Sequence, residues 1–305
     1  MYELAEILSV FATREKCIIG VCSGEALPHI PGCDTPFISR NILKRTDPAA
    51  SLPGVKSIIV IGVEPKVEKY PPMPEGAGIL SILGAVEDYH VAIKALLTKL
   101  VAELKHKFAY KILVDSPALD ERALAVRAGL GYIGRSGLVI SPEYGSRFNI
   151  GLLLTDIVIK NNIRSKSQTS CPPSCRKCID ACPTGALSES KGVNPTRCIS
   201  YLTQKDNLTQ EESSLMGRHL YGCDICQNAC PKNRPLGAAW ANPNDWLSMS
   251  DDDFVKAYGH TAMMWRGPAI LRRNAKIAAQ CPKPRLKINT KSSIGFGGVS
   301  AEDTV

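Results

Sequence analysis

Eight of the chain's twelve cysteines fall between residues 171 and 230, and their spacing repeats. The first run is Cys171-x3-Cys175-x2-Cys178-x3-Cys182-Pro183. The second is Cys223-x2-Cys226-x3-Cys230-Pro231, and Cys198 lies between them. Closely spaced thiolates ending in Cys-Pro hold a cubane iron–sulfur cluster on one loop, with the cysteine before the proline crossing to a second cluster. On this reading Cys171, Cys175, Cys178 and Cys230 ligate one [4Fe–4S] cluster. Cys182, Cys198, Cys223 and Cys226 ligate the other, with Cys198 replacing the nearby cysteine that the second run lacks. Zinc is the competing reading for paired cysteines, but a mononuclear site has no use for the matched Cys-Pro ends. The gap from Cys171 to Cys175 is one residue wider than the ferredoxin pattern. Pro172-Pro173-Ser174 therefore leaves two readings: a loop that absorbs the extra residue, or a weaker ligand. Cys17, Cys22, Cys33 and Cys281 are scattered singly, as small buried apolar residues are.

The opening stretch MYELAEILSVFATREK lacks the charged start and apolar core of a secretory signal. No apolar run reaches the roughly 18 residues that a membrane span needs. A soluble, cytoplasmic protein without membrane contact is expected, and there disulfides do not account for twelve cysteines.

A pair of clusters delivers single electrons, so the rest of the chain should hold a site to receive them. Residues 1–165 alternate helical and strand-like patterns. YELAEILSVFATR and EDYHVAIKALLTKLVAELKHK have helical apolar spacing, and DERALAVRAGLG is a helix closed by glycines. CIIGVC, VKSIIVIGV, YKILVD, SGLVIS and FNIGLLLTDIVI read as strands. The expectation is an α/β (α+β) domain with helices on a central sheet. It is followed by a ferredoxin-like double-cluster module over 166–240 and a short helical region with a basic tail over 241–305. The net charge of +8 is concentrated at that end. Arg266, Arg272, Arg273, Lys276, Lys283, Arg285, Lys287 and Lys291 are unrelieved by any acid up to Ser300. Such a segment meets a polyanion or is a solvated tail.

The stretch Gly129-Leu-Gly131-Tyr-Ile-Gly134 has the spacing of a dinucleotide-binding loop, but it follows a helix where that motif requires a strand. Nicotinamide and flavin binding are therefore not expected there. HIPG at 29–32 has the histidine and glycine of the cobalamin signature Asp-x-His-x-x-Gly, with Leu27 in place of the aspartate.

VDSPALDERALAVRAGLGYIGRSGLVISPEYGS (114–146), CIDACPTGAL, RCISYLT and YGCDICQNACPKN resemble the epoxyqueuosine reductase family. TDPAASLPGVKSIIVIGV, EDYH (87–90) and WRGPAILRRNAKIA extend the resemblance over residues 40–278. The family is cobalamin-dependent, carries two clusters and is related in core to reductive dehalogenases. The resemblance implies a cobalamin-binding first domain, reduction of epoxyqueuosine to queuosine in tRNA, and an external low-potential electron donor. It implies that Asp115 protonates the leaving oxygen, since such a step needs an acid. A strand-end aspartate is also where α/β folds open onto a ligand; the plainer role is capping the Asp-Ser-Pro turn. Asp88, Tyr89, Arg122, Gly134, Arg135, Ser136, Tyr144, Gly145 and Ser146 are the expected cofactor contacts, with glycines passing close to the corrin. His90 reads as a packed or hydrogen-bonded histidine.

Two features depart from the family. Gly134-Arg135-Ser136 stands where it usually has Gly-Lys-Asn, and the helical repeats that help hold tRNA are represented by their first helix. The competing functions are a cytoplasmic cobamide-dependent reductase of a small organic substrate and an electron-transfer protein without its own substrate site. Asp115 speaks against the second, since a carrier needs no acid. A monomer is expected.

Overall fold

The computed structural model describes residues 2–28, 42–67, 71–104, 107–116, 118–160, 170–189, 192–234 and 236–281. The HIPG stretch, Cys33 and the basic residues from Lys283 onward lie outside them. The chain forms two compact units: Met1–Glu64 with His90–Arg176, and Pro65–Tyr89 with Lys177–Val305.

In chain order the elements are α1 (Tyr2–Glu15), β1 (Ile18–Ser23), α2 (Ile42–Thr46), β2 (Ser57–Val63), β3 (Gly78–Leu80), α3 (Tyr89–Glu103), β4 (Tyr110–Val114) and α4 (Glu121–Arg127). Next come β5 (Tyr132–Ile133), β6 (Val139–Ile140), β7 (Asn149–Thr155), α5 (Lys177–Ala181), β8 (Leu187–Ser188), β9 (Gly192–Val193), α6 (Ile199–Leu202) and α7 (Gln210–Met216). The last are β10 (His219–Tyr221), α8 (Ile225–Ala229), β11 (Ala239–Ala241), α9 (Pro243–Ser248), α10 (Asp251–Tyr258) and α11 (Gly267–Gln280).

The first unit is built on a four-stranded sheet in the order β1-β2-β7-β4. Every neighbouring pair in it is antiparallel, with Ile59 opposite Leu153 and Leu153 opposite Ile112. The fold is mixed α/β, but this sheet has no parallel crossover. The switch-point reason for placing a ligand at Asp115 therefore does not apply, and the site must be argued from its own contacts. Continuous apolar runs in β2 and β7 are what a sheet covered on both faces requires. Ile58, Val60, Leu152 and Leu154 pack with Leu124 and Ala125 of α4 and with Ala128 just after it. The alternate residues face the other way, where Ile93 and Leu97 of α3 close over Gly151 and Ile61.

In the second unit β3 pairs with β10 in parallel and with β11 antiparallel. Its apolar core joins Leu80, Leu220, Trp246, Phe254, Leu271 and Ala275. Asn274 of α11 is fully buried and donates to the carbonyls of Thr203 (2.7 Å) and Leu220 (2.8 Å). Both amide hydrogens are thereby used, as burial demands. Among the described residues no helix is long and apolar enough to cross a membrane.

Candidate functional site

β4 ends at Val114, and the next residue, Asp115, takes φ 48°. Left-handed backbone costs a residue with a Cβ about 1–2 kcal/mol, so neighbouring contacts must fix it. Glu121, at the start of α4, contacts this turn. Its Oε1 accepts the Ser116 N–H at 2.8 Å, and the Asp115 backbone N–H also bonds to this carboxyl. Glu121 keeps some surface as a residue, but its carboxyl is enclosed. That burial pushes it up to about 8, against the pull of the Ser116 amide; Asp115's charge adds to the rise, while the Asp115 amide and His90 oppose it. The Asp115 side chain itself is 68% exposed, and its Oδ2 lies 3.6 Å from Nε2 of His90 in the first turn of α3. That is ion-pair distance, longer than a hydrogen bond.

Three elements thus bring His90, Asp115 and Glu121 together. The sequence points to Asp115 and reads His90 as packed or hydrogen-bonded; it gives no reason to single out Glu121. Both lie in quoted motifs, EDYH and VDSPALDERALA, but sequence spacing alone does not show that they meet. Asp120 has a separate, structural role. It caps α4 by accepting the Ala123 N–H at 3.1 Å, between Arg45 (3.8 Å) and Arg122 (3.9 Å).

Of the expected cofactor contacts, Arg122, Gly134, Arg135 and Ser136 converge on the β5–β6 hairpin. Arg122 donates to the Gly137 carbonyl at 2.8 Å, and Arg135 donates to that of Pro173 at 2.8 Å. A Cβ on Gly134 would lie 2.4 Å from Ile140 Cδ1 and 3.5 Å from Cys171 Sγ. The glycine is thus required by packing inside the unit. The Tyr144 hydroxyl donates to the Lys16 carbonyl at 2.9 Å. Gly145 has φ 58° in a tight turn closed by two hydrogen bonds with Ser141, and Ser146 is buried. Asp88 and Tyr89 belong to the second unit, where the Asp88 N–H bonds to the His260 carbonyl at 2.8 Å.

Each cysteine run of the second unit is laid out around a five-residue helix. Cys178 lies in α5 with Cys182 just after it, and Cys226 lies in α8 with Cys230 just after it. The Cys182 N–H bonds to Ile179 O at 3.1 Å and the Cys230 N–H to Gln227 O at 3.2 Å, the same local turn twice. Asp224 fixes the second run by accepting the Ile82 N–H at 2.7 Å. Cys198 precedes α6. Cys182, Cys198, Cys223 and Cys226, the expected second ligand set, are electrostatic neighbours, and Cys178 of the expected first set also acts on Cys226. These residues keep partial exposure, but their surroundings crowd the sulfurs. Burial pushes Cys226 up to about 12 and Cys223 well above its ordinary value, and the adjacent thiols add to both rises. Cys198 is raised too, against the pull of the Tyr201 and Ser200 amides. Gathered thiols that resist ionising alone form the soft donor set that iron cations stabilise. Among the described residues no three His, Cys, Asp or Glu side chains are drawn in around a single metal ion. Cys171 and Cys175 belong to the first unit, where the Cys175 N–H closes a turn onto Pro172 O at 3.0 Å.

The basic segment is largely engaged where it is described. Arg266 pairs with Asp206 and Arg272 with Asp251, and Arg273 donates to the Asp206 carbonyl at 2.7 Å. Lys276 is exposed.

Residues 171–233 match the family described as "4Fe-4S double cluster binding domain". Residues 45–116 match "Epoxyqueuosine reductase QueG, DUF1730". An epoxyqueuosine reductase of Bacillus cereus is 36% identical over 264 residues, covering 79% of this chain and 68% of the relative. The solved epoxyqueuosine reductase of Streptococcus thermophilus superposes with a TM-score of 0.81 at 33% identity, over 91% of this chain and 81% of that one. A crystal structure of an epoxyqueuosine reductase with a tRNA-Tyr epoxyqueuosine-modified stem loop matches with a TM-score of 0.81 at 31% identity, over the same shares.

Proposed function

The chain belongs to the epoxyqueuosine reductase family, and we propose that it reduces epoxyqueuosine in tRNA to queuosine using two [4Fe–4S] clusters and cobalamin. The observation that carries this reading is the exposed Asp115 carboxyl beside His90, within the motif the family shares. Removing the epoxide oxygen as water, with the alkene left behind, takes two electrons and two protons. The eight cysteines hold the clusters that pass the electrons, one at a time. Cobalamin, when bound, supplies the strongly reducing centre. Asp115 gives one proton to the departing oxygen, solvent at its exposed carboxyl supplies the second, and His90 at 3.6 Å steadies the carboxylate in between.

The expected cofactor contacts fit a supporting role. Arg122, Arg135 and Tyr144 spend hydrogen bonds on carbonyls of their own unit, so they shape the hairpin and turn against which a corrin would lie. Arg135 in place of lysine accompanies the widened cysteine loop that it holds, and gives no reason to change the substrate. Lys276 and the basic residues beyond it are the phosphate contacts for tRNA. The donor is an external low-potential reductant, and the protein works as a soluble cytoplasmic monomer.

The test is anaerobic turnover with reconstituted clusters, cobalamin, a strong reductant and tRNA carrying epoxyqueuosine, read by mass spectrometry. Queuosine should form, and Asp115→Ala should lower the rate at least about 100-fold. No conversion by a chain with cobalamin bound and both clusters intact would sink the reading.

A further inference from the structure

Asp115 sits in a backbone conformation it would not choose by itself, and its side chain is too exposed for packing to hold it there. One group meets the turn at two successive backbone amides. The Glu121 carboxyl takes both successive amides, Asp115 N–H and Ser116 N–H, the latter at 2.8 Å. Ser116 adds a local bond, its Oγ accepting the Ala118 N–H at 3.2 Å. A glutamate in the first turn of a helix ordinarily faces water and the helix's own amides. This one instead turns back to a loop five and six residues earlier.

We propose that Glu121 is a positioning residue: by holding the two backbone amides it sets the left-handed turn that presents the Asp115 carboxyl to His90 and to the substrate. The proposal rests on the acid role of Asp115 argued above. The charged groups facing Glu121 are Asp115 from the loop after β4 and His90 from α3. On its own helix, Asp120 is already engaged by the Ala123 amide, Arg45 and Arg122. The raised proton affinity of Glu121 agrees with this arrangement. A neutral carboxyl still accepts both amides through its oxygens, and adds no second negative charge beside Asp115.

The experiment combines hydrogen–deuterium exchange of residues 114–118 with steady-state turnover, both on the cluster-loaded full chain. Glu121→Ala should raise exchange in that segment at least about tenfold, as expected when local opening becomes easier. It should lower kcat at least about tenfold with KM within twofold, because substrate binding does not depend on the turn. Glu121→Gln keeps one acceptor oxygen and should fall between wild type and Glu121→Ala in both readouts. Wild-type exchange at 114–118 in both variants would overturn the proposal. Should Glu121→Ala fail to load its clusters, the same exchange reading on Glu121→Gln decides. Asp115→Ala is run beside them: wild-type turnover there would overturn the acid role and the positioning role with it, whatever the exchange shows.

Discussion

The two units hold their chemistry by opposite means. In the first, an exposed carboxyl stands on a strained backbone turn whose amides donate to one carboxyl of α4. In the second, thiols are crowded together on short helices and loops anchored by ordinary turns and an N-cap aspartate, and the side chains themselves are the reactive groups. A proton donor must meet a substrate and therefore stays accessible, so its precision has to come from the backbone beneath it. A cluster ligand binds iron directly, so its precision comes from the metal once the sulfurs are gathered. The first site should accordingly be sensitive to residues that never touch the substrate, and the second to the ligands themselves.

The sharpest test of this contrast is Cys226→Ser. Removing one ligand of the second set should cost that cluster, taking iron from about eight to about four per chain, with the absorbance near 400 nm roughly halved. Retention of about eight irons would show that the sulfurs are not the ligand set assigned here. Glu121→Gln comes next. A carboxyl raised from 4.5 to about 8 by folding favours the native state fully below pH 4.5. That contribution is lost as pH rises through about 8, because the unfolded chain releases the proton first. The amide does not titrate, so the variant should gain stability relative to wild type between about pH 4.5 and pH 8, with a ceiling of about 5 kcal/mol. Parallel denaturation midpoints across that range would contradict the enclosed carboxyl. In the second unit, Asn274→Leu removes the amide donor from the Leu220 carbonyl and leaves that of Thr203 the long 3.5 Å bond from Arg273. It should cost about 2–4 kcal/mol in chemical denaturation.

Much of this contrast is visible in the residue order, and unevenly so. The double-cluster module is legible because a loop that wraps a cubane constrains neighbours three and four residues apart, and spacing is what a sequence displays. α3 is legible from apolar periodicity, and β2 and β7 from continuous apolar runs, for the same local reason. The antiparallel order β1-β2-β7-β4 is not, since pairing between strands nearly a hundred residues apart leaves no short-range mark. Nor is the grouping of residues 65–89 with the later part of the chain, where β3 finds its partners β10 and β11. His90 and Asp115 are twenty-five residues apart and meet only because α3 and β4 lie in one unit. Glu121 stands where any first-turn acid of a helix would, and only the Ser116 amide on its carboxyl reveals what it holds.

The widened gap between Cys171 and Cys175 is where the two modes of support overlap, and it gives the smallest predicted effect. The extra residue makes the cysteine loop longer, and Arg135 compensates by donating to the Pro173 carbonyl inside the gap. Gly134 beside it lets the hairpin approach within contact of Cys171 Sγ. The loop that carries Cys171 and Cys175 is thus braced from outside by Arg135, whereas Cys178 and Cys226 lie in helices of their own. Arg135→Ala should loosen this loop by roughly 1 kcal/mol, the scale of an exposed charge-assisted hydrogen bond. Iron of the first cluster should then leave to a chelator about fivefold faster, with the second cluster unchanged. Arg135→Lys should recover little of the loss, because a lysine lacks the planar fork that reaches the carbonyl. Equal release from both clusters in Arg135→Ala would mean that the insertion is absorbed by the loop alone, and that Cys171 needs no brace.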